Sequence, residues 1–113
     1  MREFDSGATR DTDEGKLKYT GFLSPLVQRR YAEYMHKHRF QADGVMRPPD
    51  NWKKLFGVDH LDVCMDSLYR HVMAMWLVHE GYDGEDIEES ICAVMFNLNA
   101  YLFKILREQS CNK

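Results

Sequence analysis

The chain has 113 residues, of which 44% are hydrophobic and 29% are charged, and its formal net charge is -3. These values predict one soluble globular domain over residues 1–113 and exclude an intrinsically disordered chain. The overall acidity argues against nucleic acid as a partner, and no apolar run reaches the ~20 residues of a membrane span, so neither nucleic acid nor a membrane is expected.

The N-terminus and the cysteines predict a cytoplasmic protein. The segment from Met1 to Asp5 lacks the apolar core of a secretory signal. Cys64, Cys92 and Cys111 are widely spaced and form no Cys-x-x-Cys pair, which indicates neither a zinc site nor a disulfide framework. We expect Cys64 and Cys92 to be small core residues and Cys111 to be an exposed thiol.

Residues 1–23 predict an extended N-terminal arm. They are polar, lack a helical or alternating period, and allow one short extended piece near residues 17–19. Glycines beside Arg10 and Lys16 suit a segment that wraps a ligand and donates backbone N–H groups. A disordered tail is the alternative interpretation.

The remaining chain predicts an all-α fold with three main antiparallel helices in a small bundle. The first helix begins at Ser24-Pro25, a favourable N-cap followed by proline at the first helical position, and ends near residue 39 or 40. The second runs from Asp59 as N-cap to about His79, with Gly81 after it, and the third from about 85 to 108. Each has an apolar stripe at three- and four-residue spacing, which we expect to face the core. In the first helix the stripe consists of Leu26, Val27, Tyr31, Tyr34, Met35 and His38, and in the second of Leu61, Met65, Leu68, Val72, Met75, Trp76 and His79.

Residues 41–57 predict a connection, because Asp43-Gly44 and Pro48-Pro49 both break regular structure. Residues 50–57 leave room for one short helical turn. A connection of this length in a compact domain is more often functional than idle. Trp52 within it is either an anchor on the core or a stacking platform for a nucleobase.

The second helix carries a polar row beside its apolar stripe. Asp62, Asp66 and Arg70 lie four residues apart, which stacks their side chains above one another, and His71 follows directly. Such a row suits a divalent cation or a polar ligand. A solvated helix face with an Asp–Arg pair is the alternative.

Two asparagines interrupt the apolar run of the third helix. Asn97 and Asn99 are poor mid-helix residues and are costly to bury without hydrogen bonds. We expect at least one of them to have a defined partner. Both a structural network within the helices and a nucleobase edge or ribose fit this expectation.

The charges divide the chain into two unequal segments. Residues 24–54 hold seven basic and three acidic residues, whereas residues 59–89 hold one basic and nine acidic residues. A phosphate ligand with its metal ion needs both signs in one cleft. Mutual attraction of two helix faces is the alternative explanation.

Four fragments in this order resemble the dATP/dGTP diphosphohydrolase N-terminal-domain family of phages and bacteria, a MazG-like group of all-α nucleoside triphosphate pyrophosphatases. They span most of residues 7–106. The first contains Thr9-Arg10-Asp11, Glu14-Gly15-Lys16 and Tyr19, the second Pro25-Leu26, and the third Asn51-Trp52-Lys53 before Gly57. The fourth is the segment from Asp66 to His71 with Trp76, joined to Asn97.

The resemblance implies metal-dependent hydrolysis of a (deoxy)nucleoside triphosphate to the monophosphate and pyrophosphate. It implies Mg²⁺ or Mn²⁺ as cofactor, a nucleotide as ligand, and the host cytoplasm as location if a phage encodes the chain. It further implies metal ligands on two helices (Asp62, Asp66, Glu88 and Glu89), with Asp66 and Glu89 catalytic. The implied nucleotide-binding residues are Arg10, Lys16, Tyr19, Trp52, Lys53, Arg70, His71 and Asn97.

The acidic residues depart from the family's pattern. MazG-like enzymes share a Glu-x-x-Glu pair followed, one helix later, by a Glu-x-x-Asp pair. Here Asp62 and Asp66 are four residues apart, and Asn97 and Asn99 stand where the second pair is expected. A non-catalytic nucleotide-binding protein and a helical partner-binding module are therefore alternative functions.

Apolar residues that a small bundle leaves uncovered predict a homo-oligomer. Tyr101, Leu102 and Phe103 are the examples in the third helix. The second and third helices are the expected interface of that oligomer.

Overall fold

The computed structural model describes residues 2–111, and helix dominates it. Within these residues 60% are helical and 5% lie in strands, which confirms the all-α class. The helices are α1 (Tyr19–Phe22), α2 (Pro25–Lys37), α3 (His60–His79) and α4 (Ile87–Cys111), with a 3₁₀ turn at Asn51–Lys54. Strands β1 (Arg2–Glu3) and β2 (Thr9–Arg10) pair antiparallel.

Local sequence patterns place the start of α2 and both ends of α3 as predicted, whereas α2 ends at Lys37 and not near residue 39 or 40. The Ser24 hydroxyl accepts a hydrogen bond from the Val27 N–H at 3.4 Å, and Pro25 is the first residue of α2. Asp59 occupies the N-cap position of α3, although its side chain makes no capping hydrogen bond. Gly81 follows α3 with φ of 93°, a conformation that glycine adopts without the steric cost of a Cβ.

The bounds of α4 differ from the prediction at both ends. The helix begins at Ile87 because Asp86 acts as its cap, and Asp86 Oδ1 accepts the N–H groups of Glu88 at 2.8 Å and Glu89 at 3.2 Å. At the other end α4 continues to Cys111, since no glycine or proline follows Glu108 to stop it.

The N-terminal arm contains more structure than predicted. Its two strands form a small hairpin, and α1 is a single helical turn where a short extended piece was expected. Asp13 joins the hairpin to the following segment. Its carboxylate pairs with Arg2 at 2.9 Å and also with Lys18.

Small and polar side chains form the contact between α3 and α4. Fully buried His60 and half-buried Ser67 of α3 bond to Ala100 and Asn97 of α4, so the partner positions fall along α4 as they rise along α3. The two helices therefore run in opposite directions. The other fully buried side chains at this contact include Cys64 and Ala93. Such small residues let two helix backbones approach closely.

The predicted inward stripe of α3 is not the face that packs on α4. Met65 is 39% exposed and Trp76 is 54% exposed, and most other members of the stripe are half-buried. The prediction was wrong about the packing face. Helix α3 is apolar on more than one side, and its small residues, not its large ones, form the contact with α4. In α2, likewise, Leu26 and Val27 were expected to face inward but are exposed.

The connection of residues 41–57 packs on α4 through aromatic rings. The Trp52 ring lies edge-on to Phe103 with 5.0 Å between ring centroids, and edge-on to Phe96 at 6.4 Å. Phe56 stacks on His60 at 5.1 Å. The Trp52 ring therefore has the contacts of an anchor.

The three cysteines lie where the sequence placed them. Cys64 and Cys92 are buried and Cys111 is exposed, and all three are free. Burial raises the pKa of the Cys64 and Cys92 thiols. Both are therefore poor nucleophiles, as expected of small core residues.

Candidate functional site

A cleft of about 270 Å³ opens where the end of α2, the middle of α3 and the start of α4 meet. We call it the acidic cleft. Three carboxylates and two histidines share it, because the short link before α4 folds back beside α3. Its lining is Tyr34, Lys37, His38, His71, Glu85, Asp86, Glu89 and Ala93.

Glu89 has one oxygen paired and one oxygen free. Its Oε1 forms an ion pair with Lys37, the last residue of α2. Its Oε2 is buried and has no hydrogen-bond partner among the described residues. A buried carboxylate oxygen without a partner is costly, and a bound cation or donor removes that cost.

The other carboxylates of the cleft are held by neighbouring side chains. Glu85 accepts a hydrogen bond from the Ser90 hydroxyl at 2.6 Å, and the same Oε1 lies 3.6 Å from His71 Nδ1. Asp86 is fixed by its role as the cap of α4. The carboxylates are therefore oriented by the start of α4.

Burial shifts the pKa of two groups at the edge of the cleft. Burial lowers the pKa of His38, and the nearby Lys37 and His71 lower it further. Burial raises the pKa of Tyr34, with Cys92 and Glu85 adding smaller contributions. Near pH 7 the cleft therefore presents a neutral His38 imidazole and a neutral Tyr34 hydroxyl.

A second cleft, of about 230 Å³, adjoins the first and also has Tyr34 and His38 in its lining. We call it the aromatic cleft. Trp52, Phe56 and Phe96 supply aromatic rings, and Arg39 and Arg47 supply positive charge. Together the two clefts put aromatic rings and guanidinium groups next to carboxylates.

The two arginines of the aromatic cleft are partly engaged. Arg39 Nε donates to the Arg47 carbonyl at 2.8 Å, and Arg47 Nη2 pairs with Asp43 at 2.6 Å. The ion pair lowers the pKa of the Asp43 carboxyl, with the Arg47 hydrogen bond as its largest cause. Arg39 is thus the guanidinium without a carboxylate partner in this cleft.

The structure brings three of the predicted site residues to the two clefts. His71 and Glu89 line the acidic cleft, and Trp52 lines the aromatic cleft. Lys53 lies next to them on the 3₁₀ turn, with its ammonium 5.8 Å from the Trp52 ring centroid. Glu88 points elsewhere and pairs with Arg30 at 2.6 Å.

The polar row of α3 stays outside the clefts. Asp62, Asp66 and Arg70 are all exposed, and none of them forms an ion pair within residues 2–111. They share a face, as their spacing predicts, but none of them is among the residues that line the two clefts. In a single chain the metal ligands implied on α3 and on α4 do not converge.

Asn97 and the arm residues also lie apart from the clefts. Asn97 is 4% exposed, and its amide donates to the Ser67 hydroxyl at 3.2 Å and to the Ala93 carbonyl at 2.9 Å. These are the contacts of the structural network that was one of the two alternatives. Arg10, Lys16 and Tyr19 are exposed on the arm.

Sequence reasoning missed most of the residues that line the clefts, among them His38, Arg39, Arg47 and Glu85. His38 was assigned only to an apolar stripe, and the two arginines only to a general basic segment. The contrast between the basic and acidic segments was the one pattern that pointed to this junction. It did not resolve which residues meet there, because the contacts between α2 and α4 join residues that are distant in the sequence, 52 positions apart for Lys37 and Glu89.

The acidic cleft fits a divalent cation only in part. Within residues 2–111 no three His, Cys, Asp or Glu side chains are placed to hold one ion. Mg²⁺, however, is usually bound through one or two carboxylates, with waters and substrate phosphates completing its shell. Glu89, with its free Oε2, and the neighbouring Glu85 suit that smaller requirement.

Comparison of the chain with protein-family models, with curated proteins and with solved structures finds no match. The resemblance to the diphosphohydrolase family therefore stays a prediction. Function has to be argued from the two clefts themselves.

Proposed function

We propose that the chain binds a (deoxy)nucleoside triphosphate with Mg²⁺ or Mn²⁺ in the two adjoining clefts and hydrolyses it to the monophosphate and pyrophosphate. One observation carries the proposal. The aromatic cleft and the acidic cleft share Tyr34 and His38, so one elongated ligand reaches both. A nucleotide is such a ligand, with a flat base at one end and a metal-bound phosphate chain at the other.

In this proposal the base occupies the aromatic cleft. Stacking of a base on an aromatic side chain contributes roughly 1–3 kcal/mol. The Trp52 ring packs edge-on to two phenylalanines, which keeps its plane fixed for such a contact. Base stacking then needs no new ordering of the ring.

The phosphates lie between the clefts, next to Lys37, His38 and Arg39. Lys37 and Arg39 attract the negative charge, and Arg39 has no carboxylate partner in its cleft. Glu89 and Glu85 would hold the cation, which would neutralise the phosphate charge and lower the pKa of the attacking water. Glu89 Oε2 is the carboxylate oxygen placed to accept a proton or a ligand, because it has no other partner.

The proposal includes a MazG-like arrangement in which α2, α3 and α4 run antiparallel, and a cytoplasmic location. The opposite directions of α3 and α4 support that arrangement. Two ion pairs, Arg30 with Glu88 and Lys37 with Glu89, hold α2 beside α4.

The test is incubation of the purified chain with a panel of nucleoside triphosphates and Mn²⁺, followed by mass spectrometry of the nucleotides. We expect monophosphate and pyrophosphate from dGTP or dATP. Glu89→Gln keeps the shape of the side chain and removes its charge, and should lower the rate at least tenfold. Glu33→Gln, an exposed glutamate on α2, is the matched control and should leave the rate unchanged.

Asp66→Ala distinguishes the cleft from the polar row of α3. If hydrolysis takes place in the acidic cleft, Asp66→Ala retains activity, because Asp66 is exposed and does not line that cleft. Loss of activity in Asp66→Ala but not in Glu89→Gln would move the site to α3. If every nucleotide of the panel is recovered intact and none of them changes the unfolding temperature of the chain, both sites are refuted. That result would favour a helical partner-binding module.

Binding without hydrolysis is the second candidate function. It is favoured by the ion pairs that hold Glu88 and Glu89, since a carboxylate engaged by arginine or lysine is a weaker metal ligand. It predicts that a nucleotide raises the unfolding temperature and is recovered uncut. The same mass spectra separate the two candidates.

A further inference from the structure

The folded chain exposes more surface than a compact monomer of its size. Its accessible surface is 9067 Å², whereas a compact monomer of 13.4 kDa exposes about 6,500 Å². Its radius of gyration is 19.1 Å, against about 13 Å for a compact domain of this length. The extended arm accounts for part of the excess, and uncovered helix faces account for the rest.

One of these faces lies on α3. It consists of Leu61, Met65, Leu68, Val72, Met75 and Trp76, all of which are half-buried or exposed. The residues that pack on α4, among them His60, Cys64 and Ser67, lie on a different side of the helix. At about 100° of rotation per residue, the two sides are about 110° apart.

A similar face lies on α4. Its members are Val94, Leu98, Tyr101, Leu102 and Ile105, of which Leu98 is 52% exposed and Leu102 is 53% exposed. Several contacts of α4 with α2 and with the connection of residues 41–57 lie on nearly the opposite side. The residues that make those contacts are Glu88, Cys92, Phe96 and Phe103.

The two apolar faces form one surface, which we call the open face. Viewed along the axis of each helix, the apolar residues lie about 100° away from the residues that form the α3–α4 contact. In both helices this angle is measured in the direction in which the backbone turns from the N-terminus to the C-terminus. Because the helices run in opposite directions, this equal rotation puts both faces on the same side of the pair. The open face contains no charged residue and is covered by no other part of residues 2–111.

We propose that a second copy of this chain packs on the open face, so that α3 and α4 of two chains form a four-helix core. Stable homodimers bury roughly 2,000–5,000 Å² in total, or about 1,000–2,500 Å² per chain. The excess surface of this chain is about 2,600 Å², of which the arm takes a part, and the remainder is of the size that such a dimer buries per chain. A surface without charge is also complementary to itself, as a two-fold symmetric interface requires.

A lipid bilayer is the competing occupant and fits less well. Within residues 2–111, α4 is the one helix that is long and apolar enough to cross a membrane by length and composition. Its uncharged stretch, however, runs only from Ser90 to Phe103, before Lys104. Such a stretch is about 21 Å long, and a bilayer core is about 30 Å thick.

Light scattering of the full chain after size-exclusion chromatography tests the proposal. We expect twice the 13.4 kDa mass of one chain at micromolar concentration. Leu98→Glu puts a charge in the open face and should give the mass of one chain. Leu77→Glu is the matched control, because Leu77 is 46% exposed on a different side of α3, and it should remain dimeric.

Two measurements cover the case in which Leu98→Glu does not fold. The unfolding temperature of the wild-type chain should rise with protein concentration, as linkage requires of a dimer. Leu98→Ala, which is milder, should raise the dissociation constant at least tenfold, and Leu77→Ala should not.

A wild-type chain that has the mass of one chain and an unfolding temperature independent of concentration would overturn the proposal. If that monomer also pelleted with phosphatidylcholine vesicles, the membrane would replace the second copy as occupant. Equal weakening of the dimer by the Leu98 and Leu77 variants would reject this face as the interface. None of these outcomes depends on nucleotide binding.

Discussion

Replacing His60 by alanine should destabilise the fold, because His60 is a fully buried link between three segments. Its Nδ1 accepts a hydrogen bond from the Phe56 N–H at 3.1 Å, and its Nε2 donates to the Ala100 carbonyl at 2.9 Å. These two bonds define a neutral imidazole with its proton on Nε2. His60→Ala removes both of them and the stacking contact with Phe56.

The expected loss is about 3 kcal/mol in the free energy of unfolding. Leaving a buried polar group without a partner costs roughly 1–3 kcal/mol. The Phe56 N–H bears that cost in full, whereas Ala100 lies in α4 and its carbonyl keeps a helical partner. The lost packing of the ring contributes about another 1–2 kcal/mol.

Urea unfolding, followed by tryptophan fluorescence and circular dichroism, measures this loss. All variants are compared at one protein concentration, because dimerisation adds to the apparent stability. His79→Ala is the matched control, since His79 is exposed in the same helix and should change the free energy by less than about 1 kcal/mol. A His60→Ala chain within about 0.5 kcal/mol of the wild type would refute this account of His60.

Two further predictions concern the contacts of α4 and α2. Asn97→Ala should lower the free energy of unfolding by about 1–2 kcal/mol. The double variant with Ser67→Ala should lose less than the sum of the two single losses, because the two side chains share one hydrogen bond. Additive losses in urea unfolding would contradict this. Burial raises the pKa of Tyr31 from 10.0 to about 12, so its neutral form stabilises the fold below pH 10 and this contribution disappears as the pH rises to about 12. Tyr31→Phe should therefore lose less stability than the wild type between these pH values, and equal losses would show that Tyr31 is not shielded.

For the candidate site, the sequence indicated which charged segments contribute residues but not where in the fold these residues come together. The change from a basic to an acidic segment predicted either a cleft with both signs or the mutual attraction of two helix faces. Lys37, Arg39, Glu85 and Glu89 do line the two clefts, and Lys37 and Glu89 also form an ion pair between α2 and α4. The spacing of Asp62 and Asp66 predicted a shared face correctly. Spacing within one helix cannot say what lies opposite that face, and here it is exposed.

The sequence by itself determined the helices and most of their ends. Ser24-Pro25 starts α2 and Gly81 follows α3, because a capping hydroxyl, a fixed proline φ and a positive glycine φ act within a few residues. Other ends differ from the prediction. Helix α2 ends at Lys37, α4 continues to Cys111, and Asp86, which was expected inside α4, acts instead as its cap and moves the start of that helix to Ile87.

The tertiary structure alone decided which side of each helix packs within the chain. Periodicity shows that α3 has an apolar stripe, but it does not distinguish a stripe that faces the chain's own core from one that faces a partner. Cys64 and Ser67 took the contact with α4 because small side chains allow close approach, and the larger side chains remained on the open face. Which side of α3 packs on α4 depends on how the shapes of the two helices fit together. The sequence of either helix alone does not give this information.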